Sequence, residues 1–355
     1  MRAMSEWFSA VRGHPAAKRA LRCAVLGGRL GGSLLVCGPR GVGRALLARE
    51  LARAINCRGG DGPRPCGACA PCRKIASGTS GDCLFVRPLD KPSIGIDQVR
   101  EMLDELALAP VESDRRVFVV DPASALREDA QNALLKGLEE PPGRALIILI
   151  AEHEGELLPT IASRCLVVSL GPLEREETID VLVQEGLPRD EAERRAAWAG
   201  GSPGEALEED AVELAELCAE ALSAFAAGDA AADPMPLVES LLAFADGKTG
   251  DAAEARRRRI DRLLRALQRA LRDALLVREA ARTPACSGVA PQTLERLAAL
   301  PRGRLERALG ALTESETALR RNANTKLVLD GLALEVGAAL APPEPQAAGI
   351  LRGSP

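Results

Sequence analysis

The amino-acid sequence predicts an α/β domain with a parallel sheet, followed by regions that are entirely helical. Over the first 170 residues, short apolar runs of strand length alternate with amphipathic helical stretches. After that point the strand pattern disappears, and helical periodicity continues almost to the end of the chain. Near-continuous apolar strands that alternate with helices are typical of a parallel sheet covered by helices on both faces.

The first predicted strand is SLLVCG (Ser33–Gly38), which a glycine-rich loop joins to the amphipathic stretch RALLARELARAI. Two further apolar runs of strand length are RRVFVVD (Arg115–Asp121) and RALIILIA (Arg144–Ala151). Between them, REDAQNALLKGLEEPP predicts a helix that Pro141 and Pro142 terminate. The last apolar run of this domain lies in SRCLVVSLGPL.

The second half of the sequence predicts helices only. Residues 174–208 indicate short helices separated by the breakers EGLP and AGGSPG, and a helical pattern then runs from 209 to 342. One stretch carries apolar residues at spacings of three and four, the stripe of an amphipathic helix: Ile260, Leu263, Leu264, Leu267, Leu271, Leu275 and Leu276. The tail is rich in proline and glycine and predicts disorder. We therefore expect segments at 1–169, 170–208, 209–342 and 343–355.

The composition argues against several classes of protein. The net charge of −4 provides no global basic field that would bind nucleic acid by itself. No apolar run approaches the roughly 20 residues that cross a bilayer, and the N-terminal segment lacks an apolar signal-peptide core before a cleavage site. The cytoplasm is therefore the expected compartment. There, ten cysteines indicate metal ligands or buried thiols rather than disulfides.

Four cysteines are closely spaced in CRGGDGPRPCGACAPC. Cys57, Cys66, Cys69 and Cys72 form the pattern C-x8-C-x2-C-x2-C on a loop rich in glycine and proline. This pattern predicts one structural Zn²⁺ with all four ligand positions filled by protein, which argues against a catalytic zinc. Four unrelated thiols and a pair of disulfides are the alternatives. We expect five of the other cysteines to be small buried residues: Cys23, Cys37, Cys83, Cys218 and Cys286.

The loop after the first strand resembles an ATPase phosphate loop that lacks the residues needed to bind Mg²⁺ and the β- and γ-phosphates. A working loop reads G-x-x-x-x-G-K-[ST], whereas here Gly38, Gly41 and Gly43 are followed by Arg44 and Ala45. Backbone N–H groups of this loop can still cradle a phosphate at a helix N-terminus. Alanine, however, cannot hold Mg²⁺, and a planar guanidinium is not a compact ammonium. The loop is therefore either a turn that only packs the helix or a weak nucleotide site, and the former is favoured.

Several motifs together resemble one family. A cysteine module follows a phosphate-loop helix, and GHPAAKRAL, NALLKGLEEPP, LLPTIASRC and RRNANTKLVLDGLAL occur in that family's order over about residues 10–340. The chain is similar to the AAA+ clamp-loader family of bacterial DNA polymerase III, in its delta prime group. The resemblance implies a RecA-like AAA+ core with a zinc module at 57–72, a small helical lid and an all-α collar. It also implies assembly with motor subunits that bind and hydrolyse ATP.

Three further positions depart from an active member of this family. Asp121 stands where the magnesium-associated acid is expected, but Pro122 replaces the Glu that would activate water. The γ-phosphate sensor position offers Ala151, Glu152 and His153 instead of Thr or Asn, and the lid presents Glu205 where active relatives present Arg. An acid beside a phosphate repels it. We therefore expect no hydrolysis at this chain's own site.

The motif Ser163-Arg164-Cys165 is intact. The resemblance implies that Arg164 is an arginine finger that reaches a neighbouring subunit's ATP site, with Ser163 and Cys165 as supporting residues. In related chemistry such a guanidinium contributes a factor of about 10³–10⁵ in rate. The alternative is an ordinary surface arginine in a salt bridge worth less than about 1 kcal/mol.

These observations predict a delta prime-like scaffold subunit with one Zn²⁺, without ATP binding of its own. The implied partners are motor and delta subunits and, indirectly, the sliding clamp and primer-template DNA, with no membrane. One alternative is an active motor ATPase, and another is a zinc-dependent nucleic-acid-binding module. We expect no catalytic or binding role for two further charged motifs. Glu139-Glu140 should pack the C-terminal end of a helix, and the run Arg256–Arg259 should form a solvated helix face.

Overall fold

The computed structural model describes residues 7–28, 30, 32–60, 62–89, 93–139, 141, 145–227, 233–247, 253–279, 288–320 and 323–341. The chain divides into two units. The first comprises Met1–Gly186 with Gly201–Glu205, and the second comprises Leu187–Gly200 with Ala206–Pro355. The domain boundaries expected from the sequence stay a prediction, and the expected disordered tail lies outside the described residues.

The first unit contains a five-stranded sheet in which every strand pair is parallel. Its strands are β1 (Ser33–Cys37), β2 (Cys83–Val86), β3 (Val117–Val120), β4 (Leu146–Ala151) and β5 (Leu166–Ser169). The spatial order is β2-β3-β4-β1-β5, so the strand before the phosphate loop lies between β4 and β5. The parallel sheet was predicted, but the short strand β2 was not.

Helices cover both faces of the sheet, as predicted. Strands β1, β3 and β4 are therefore buried at every position. One face packs against α1 (Pro15–Leu26), α2 (Arg44–Ile55) and α3 (Ala70–Ser77). The other packs against α4 (Ile96–Leu106), α5 (Glu128–Glu139) and α6 (Pro159–Ala162). Successive strand residues alternate between the two cores: Leu34 and Val36 lie in the first, Leu35 and Cys37 in the second. Helix α7 (Arg175–Gln184) follows β5.

In the second unit all regular structure among the described residues is helical. The longest helix, Ala253–Arg278, carries the predicted stripe, of which Ile260, Leu263 and Leu264 are fully buried. The remaining helices lying wholly in this unit are Arg189–Ala199, Ala211–Ala227, Met235–Asp246, Pro291–Ala299, Arg302–Arg320 and Thr325–Leu340. The short helix Pro203–Ala206 lies at the boundary of the units. Within the described residues, no helix has both the length and the apolar character needed to cross a membrane.

The arginine run in the longest helix is only partly solvated. Arg257 and Arg258 are exposed, as expected for a solvated face. Arg256, however, forms an ion pair with Asp246 at 3.1 Å, and Arg259 forms one with Asp210 at 3.4 Å. The expectation of a solvated face was therefore wrong for these two arginines, because helix periodicity turns them towards Asp246 at the end of one helix and Asp210 just before another.

Candidate functional site

The phosphate loop lies at the carboxyl end of β1 and leads into α2. Gly38, Gly41 and Gly43 have φ angles of 150°, 75° and 104°, which favour glycine. Gly43 is the N-cap of α2, so the loop keeps the backbone course of a phosphate cradle. Arg44 is the first residue of that helix.

A second chain segment packs directly on this loop. The Gly204 N–H donates to the Gly41 carbonyl at 2.9 Å. A Cβ atom at Gly41 would lie 2.7 Å from the backbone nitrogen of Glu205 and 3.1 Å from its Cγ atom. The Glu205 side chain is only 8% exposed. An acidic residue is therefore packed against the loop and largely buried.

The other predicted site positions follow strands β3 and β4. Asp121 follows β3, and its carboxylate lies 3.6 Å from the Arg87 guanidinium, which offsets its charge. Glu152 follows β4, and its carbonyl accepts a hydrogen bond from Gly38 N–H at 3.0 Å. His153 lies in the next turn with its side chain 67% exposed. Pro122, which follows Asp121, offers no side-chain base.

Arg164 lies directly after α6 and before β5. Its Nε and Nη2 atoms both contact Oε1 of Glu139, the last residue of α5. Its Nη1 atom donates to the Thr160 carbonyl at 2.9 Å. Ser163 Oγ donates to the same carbonyl at 3.1 Å, and Cys165 N–H donates to the Ala162 carbonyl at 3.3 Å. The Arg164 side chain is 36% exposed, so these contacts hold the guanidinium while solvent still reaches the side chain.

The phosphate loop and Arg164 lie at opposite ends of two neighbouring strands, β1 and β5. Leu166 pairs with Leu34 near the amino end of β1, whereas the phosphate loop begins after Cys37 at the carboxyl end. The strand between these two levels rises about 10 Å at roughly 3.3 Å per residue. Because Arg164 precedes Leu166, it lies still further from the loop along the strand direction. Arg164 therefore does not serve the phosphate loop of its own chain.

The four predicted metal ligands come together. The sulfur atoms of Cys57, Cys66, Cys69 and Cys72 all lie within 4.8 Å of one another. A tetrahedral ZnS₄ centre with bonds of about 2.3 Å needs sulfur separations of about 3.8 Å, so a small adjustment accommodates the ion. The set of four thiols fits a closed structural site for a soft or borderline metal ion.

Backbone N–H groups point at these sulfurs. Gly59 and Cys66 N–H donate to Cys57 Sγ at 3.4 and 3.3 Å, and Cys69 N–H donates to Cys66 Sγ at 3.4 Å. Donors of this kind stabilise thiolates. Hydrogen bonds from the Cys69 and Ala68 backbone lower the pKa of Cys66 to about 6. Burial raises the pKa of Cys72 to about 12, so it is at Cys66 that the backbone donors favour the thiolate, the form that binds metal.

The cysteine module is tied to three parts of the first unit. Arg53 of α2 donates to the Cys72 carbonyl at 3.1 Å, and Phe8 N–H donates to the Arg64 carbonyl at 3.2 Å. Arg58 donates to the Glu112 carbonyl at 2.8 Å, and Lys74 pairs with the Glu112 carboxylate. These contacts explain how a loop without a core of its own stays attached to the sheet domain.

The remaining cysteines were predicted only in part. Cys37, Cys83 and Cys218 are buried, as expected, and burial raises their thiol pKa values to about 11, about 12 and about 12. Cys23 is exposed, so its expected burial was wrong. It lies on α1, whose one buried residue is Leu21, and two residues along a helix is about 200° around the axis. Cys286 lies outside the described residues.

Two side-chain contacts escaped the sequence analysis. The partner of Arg164 is Glu139, 25 residues away along the chain, and only a general packing role was expected for Glu139. Asp82 is fully buried and accepts backbone N–H groups from Val111, Glu112 and Ser113 at 2.8–2.9 Å. A lone aspartate before a short strand gives no signal of this role.

Comparison with known proteins gives matches in the first half of the chain. Residues 13–174 match the family model described as "DNA polymerase III, delta subunit". The chain is 36% identical over 185 residues to the DNA polymerase III subunit delta prime of Pseudomonas aeruginosa, covering 50% of this chain and 56% of that protein. It is 40% identical over 158 residues to the subunit gamma/tau of Mycobacterium tuberculosis, covering 44% of this chain and 27% of that protein.

The matched region therefore spans between about a quarter and just over half of the length of these relatives. Among solved structures, a gamma subunit-related protein from Thermotoga maritima aligns with 18% identity and a TM-score of 0.44, over 91% of this chain and 99% of that one.

Proposed function

We propose that this chain, which belongs to the DNA polymerase III clamp-loader family through residues 13–174, is a non-hydrolysing subunit of the delta prime type. It holds the loader's geometry and donates Arg164 to the ATP site of a neighbouring motor subunit. The observation that supports this proposal is the separation of the two motifs. The degenerate phosphate loop lies at the carboxyl end of β1, and the intact Ser163-Arg164-Cys165 motif lies before the amino end of the neighbouring strand β5.

The chemistry proposed for Arg164 is electrostatic. In the transfer of a phosphoryl group, charge spreads over the equatorial oxygens of the phosphate. A guanidinium held in a water-poor joint between subunits offsets that charge, and it remains protonated throughout. Ser163 supports the turn that carries the arginine by bonding the same Thr160 carbonyl. The residue therefore acts by position and charge, without transferring a proton.

The absence of own-site hydrolysis is part of the proposal. Arg44 and Ala45 replace the Lys and Ser/Thr of a working loop, and Pro122 replaces the base. The burial of Glu205 against Gly41 adds an electrostatic obstacle. These residues argue against the motor-subunit alternative, although the identity to gamma/tau, 40%, is higher than the 36% to delta prime.

The cysteine module is proposed to hold one structural Zn²⁺, which would fasten the loop at 57–72 to the sheet domain. The alternative role in nucleic-acid binding receives little support. Arg58 and Lys74 already bond Glu112, while Arg64 and Arg73 donate to carbonyls within the module. The proposed partners are motor subunits, a delta subunit and, indirectly, the clamp and primer-template DNA, all in the cytoplasm.

Calorimetric titration of the purified chain with Mg-ATP tests the own-site proposal. We expect no binding heat at high micromolar nucleotide, and no ATP hydrolysis by the chain alone. Micromolar binding followed by turnover would return the chain to the motor class. The Arg164 proposal is tested by ATP hydrolysis in an assembly with motor subunits, where Arg164→Ala lowers turnover although this chain's own loop is unchanged.

A further inference from the structure

We infer that Glu139 is a positioning residue for Arg164, which aims the guanidinium before a neighbour's nucleotide arrives. This inference rests on the proposed function of Arg164. Glu139 is the last residue of α5, and its carboxylate contacts Nε and Nη2 of Arg164 along one side of the guanidinium plane. Thr160 takes a third donor, on Nη1.

The number of N–H donors on Arg164 that these contacts use shows how many remain for a phosphate group. Arginine has five N–H donors in a rigid planar fork. Glu139 and Thr160 engage three of them, which leaves one N–H on each terminal nitrogen, and within the described part of the chain neither of these has a partner. Two donors on the two terminal nitrogens match two oxygens of one phosphate group. Glu139 therefore fixes the side of the fork and leaves donors at its tip.

Helix α5 fixes both supports of this arrangement. Its buried Gln131 accepts a hydrogen bond from Leu158 N–H at 2.9 Å, immediately before α6, and α6 carries Thr160. Its C-terminal residue is Glu139. One rigid helix thus places the carboxylate and the short helix from which Arg164 emerges, and the Ser33 hydroxyl secures the end of α5 by donating to the Leu138 carbonyl at 3.1 Å.

The charge at Glu139 is costly without its partner. A carboxylate at the C-terminus of a helix meets the negative end of the helix dipole. The sequence analysis expected Glu139-Glu140 only to pack the end of this helix. Such packing does not require an acid at position 139. The contact with Arg164 favours an acid there, because a carboxylate pairs more strongly with the charged Nε and Nη2 donors than a neutral acceptor does.

The test is a double-mutant cycle in the full assembly with gamma/tau-type motor subunits and a delta subunit, with kcat and KM for ATP measured separately. We expect Glu139→Ala to lower kcat about tenfold with little change in KM, because a misaimed group loses rate in the chemical step. Glu139→Gln keeps one acceptor oxygen and should fall between Glu139→Ala and wild type. In the Arg164→Ala background, Glu139→Ala should have no further effect.

The matched control is Glu193→Gln, which removes the charge from another exposed glutamate–arginine pair, with Arg189 at 3.1 Å. This control should leave kcat unchanged. If Glu139→Ala matches the control, or if it raises kcat or lowers KM for ATP, then Glu139 either does nothing or competes with phosphate, and the inference is wrong. If Arg164→Ala itself leaves turnover unchanged, the failure belongs to the proposed function rather than to Glu139.

Discussion

Replacement of Asp82 by asparagine tests how the loop at 111–113 is held to the sheet domain. The two carboxylate oxygens of Asp82 accept hydrogen bonds from three backbone N–H groups of that loop. Arg116 Nε lies 3.7 Å from Asp82 Oδ1. Both side chains are buried. Asparagine has a single acceptor oxygen, so at least one N–H loses its partner and the remaining bonds lose their charge assistance.

The magnitude follows from these contacts. A hydrogen bond to a charged group contributes about 1.5–3 kcal/mol and a neutral one about 0.5–1.5 kcal/mol. Two weakened bonds and one lost bond therefore amount to about 3–5 kcal/mol. Val111 is 79% exposed, so water can satisfy its N–H and the lower end of this range applies. We expect Asp82→Asn to lower the free energy of unfolding of the first unit by about 3 kcal/mol.

The assay is urea denaturation followed by the emission of Trp7, which is buried in the first unit, in a background where Trp198 is replaced by Phe. The control is Asp114→Asn, which removes an exposed carboxylate 3.8 Å from Arg58 and should cost less than about 1 kcal/mol. Equal effects of the two substitutions would refute the reasoning, because the buried acceptor would then contribute no more than a surface ion pair.

The Asp82 carboxylate also allows a prediction of how the free energy of unfolding depends on pH. Burial alone raises the pKa of Asp82, but the backbone N–H donors of Val111, Glu112 and Ser113 outweigh it, and the pKa lies below its usual value. A lowered pKa contributes stability that is fully present above the unfolded value of about 3.9 and is lost as the pH falls through the folded value. The stability difference between wild type and Asp82→Asn should therefore shrink in acid, and a constant difference would contradict the assignment.

Two further predictions concern the cysteine module and the phosphate loop. In wild type, elemental analysis should find one zinc per chain. Cys69→Ser should remove this metal and shift Trp7 emission to the red, whereas the control Cys23→Ser should do neither. Metal retained in Cys69→Ser would contradict the ligand assignment. Gly41→Ala should lower the stability of the first unit by about 2 kcal/mol, because φ is +75° and the new Cβ would meet Glu205 N at 2.7 Å. Gly81→Ala, which meets open space, is its control, and equal stabilities would contradict the packing.

The fold was predictable where local pattern and burial agree. The strands β1, β3 and β4 are buried at every position and, apart from Ser33, apolar, so their runs are visible in the sequence. Strand β2 escaped because it is an edge strand of only four residues, half-buried after Cys83. An edge strand has one neighbour and needs less continuous apolar character.

The site was predictable where the chemistry is local in the chain. The cysteine ligands lie within one short loop, and their spacing alone identified a site whose sulfurs do come together. By contrast, the pairing of Glu139 with Arg164 and the packing of Glu205 on Gly41 join distant segments. Only the fold brings these groups together, so no spacing rule in a single sequence predicts them.

The measurement that bears most directly on the central proposal is single-turnover ATP hydrolysis by the loader assembled with Arg164→Ala. Assembly is confirmed first by gel filtration, and Arg164→Lys is included because a lysine keeps the charge but not the planar fork. We predict that the chemical step at the neighbouring site slows by about 10³-fold or more with alanine, and that lysine recovers only part of the rate. An unchanged rate in an intact Arg164→Ala assembly would contradict the proposal that this chain donates a finger in trans.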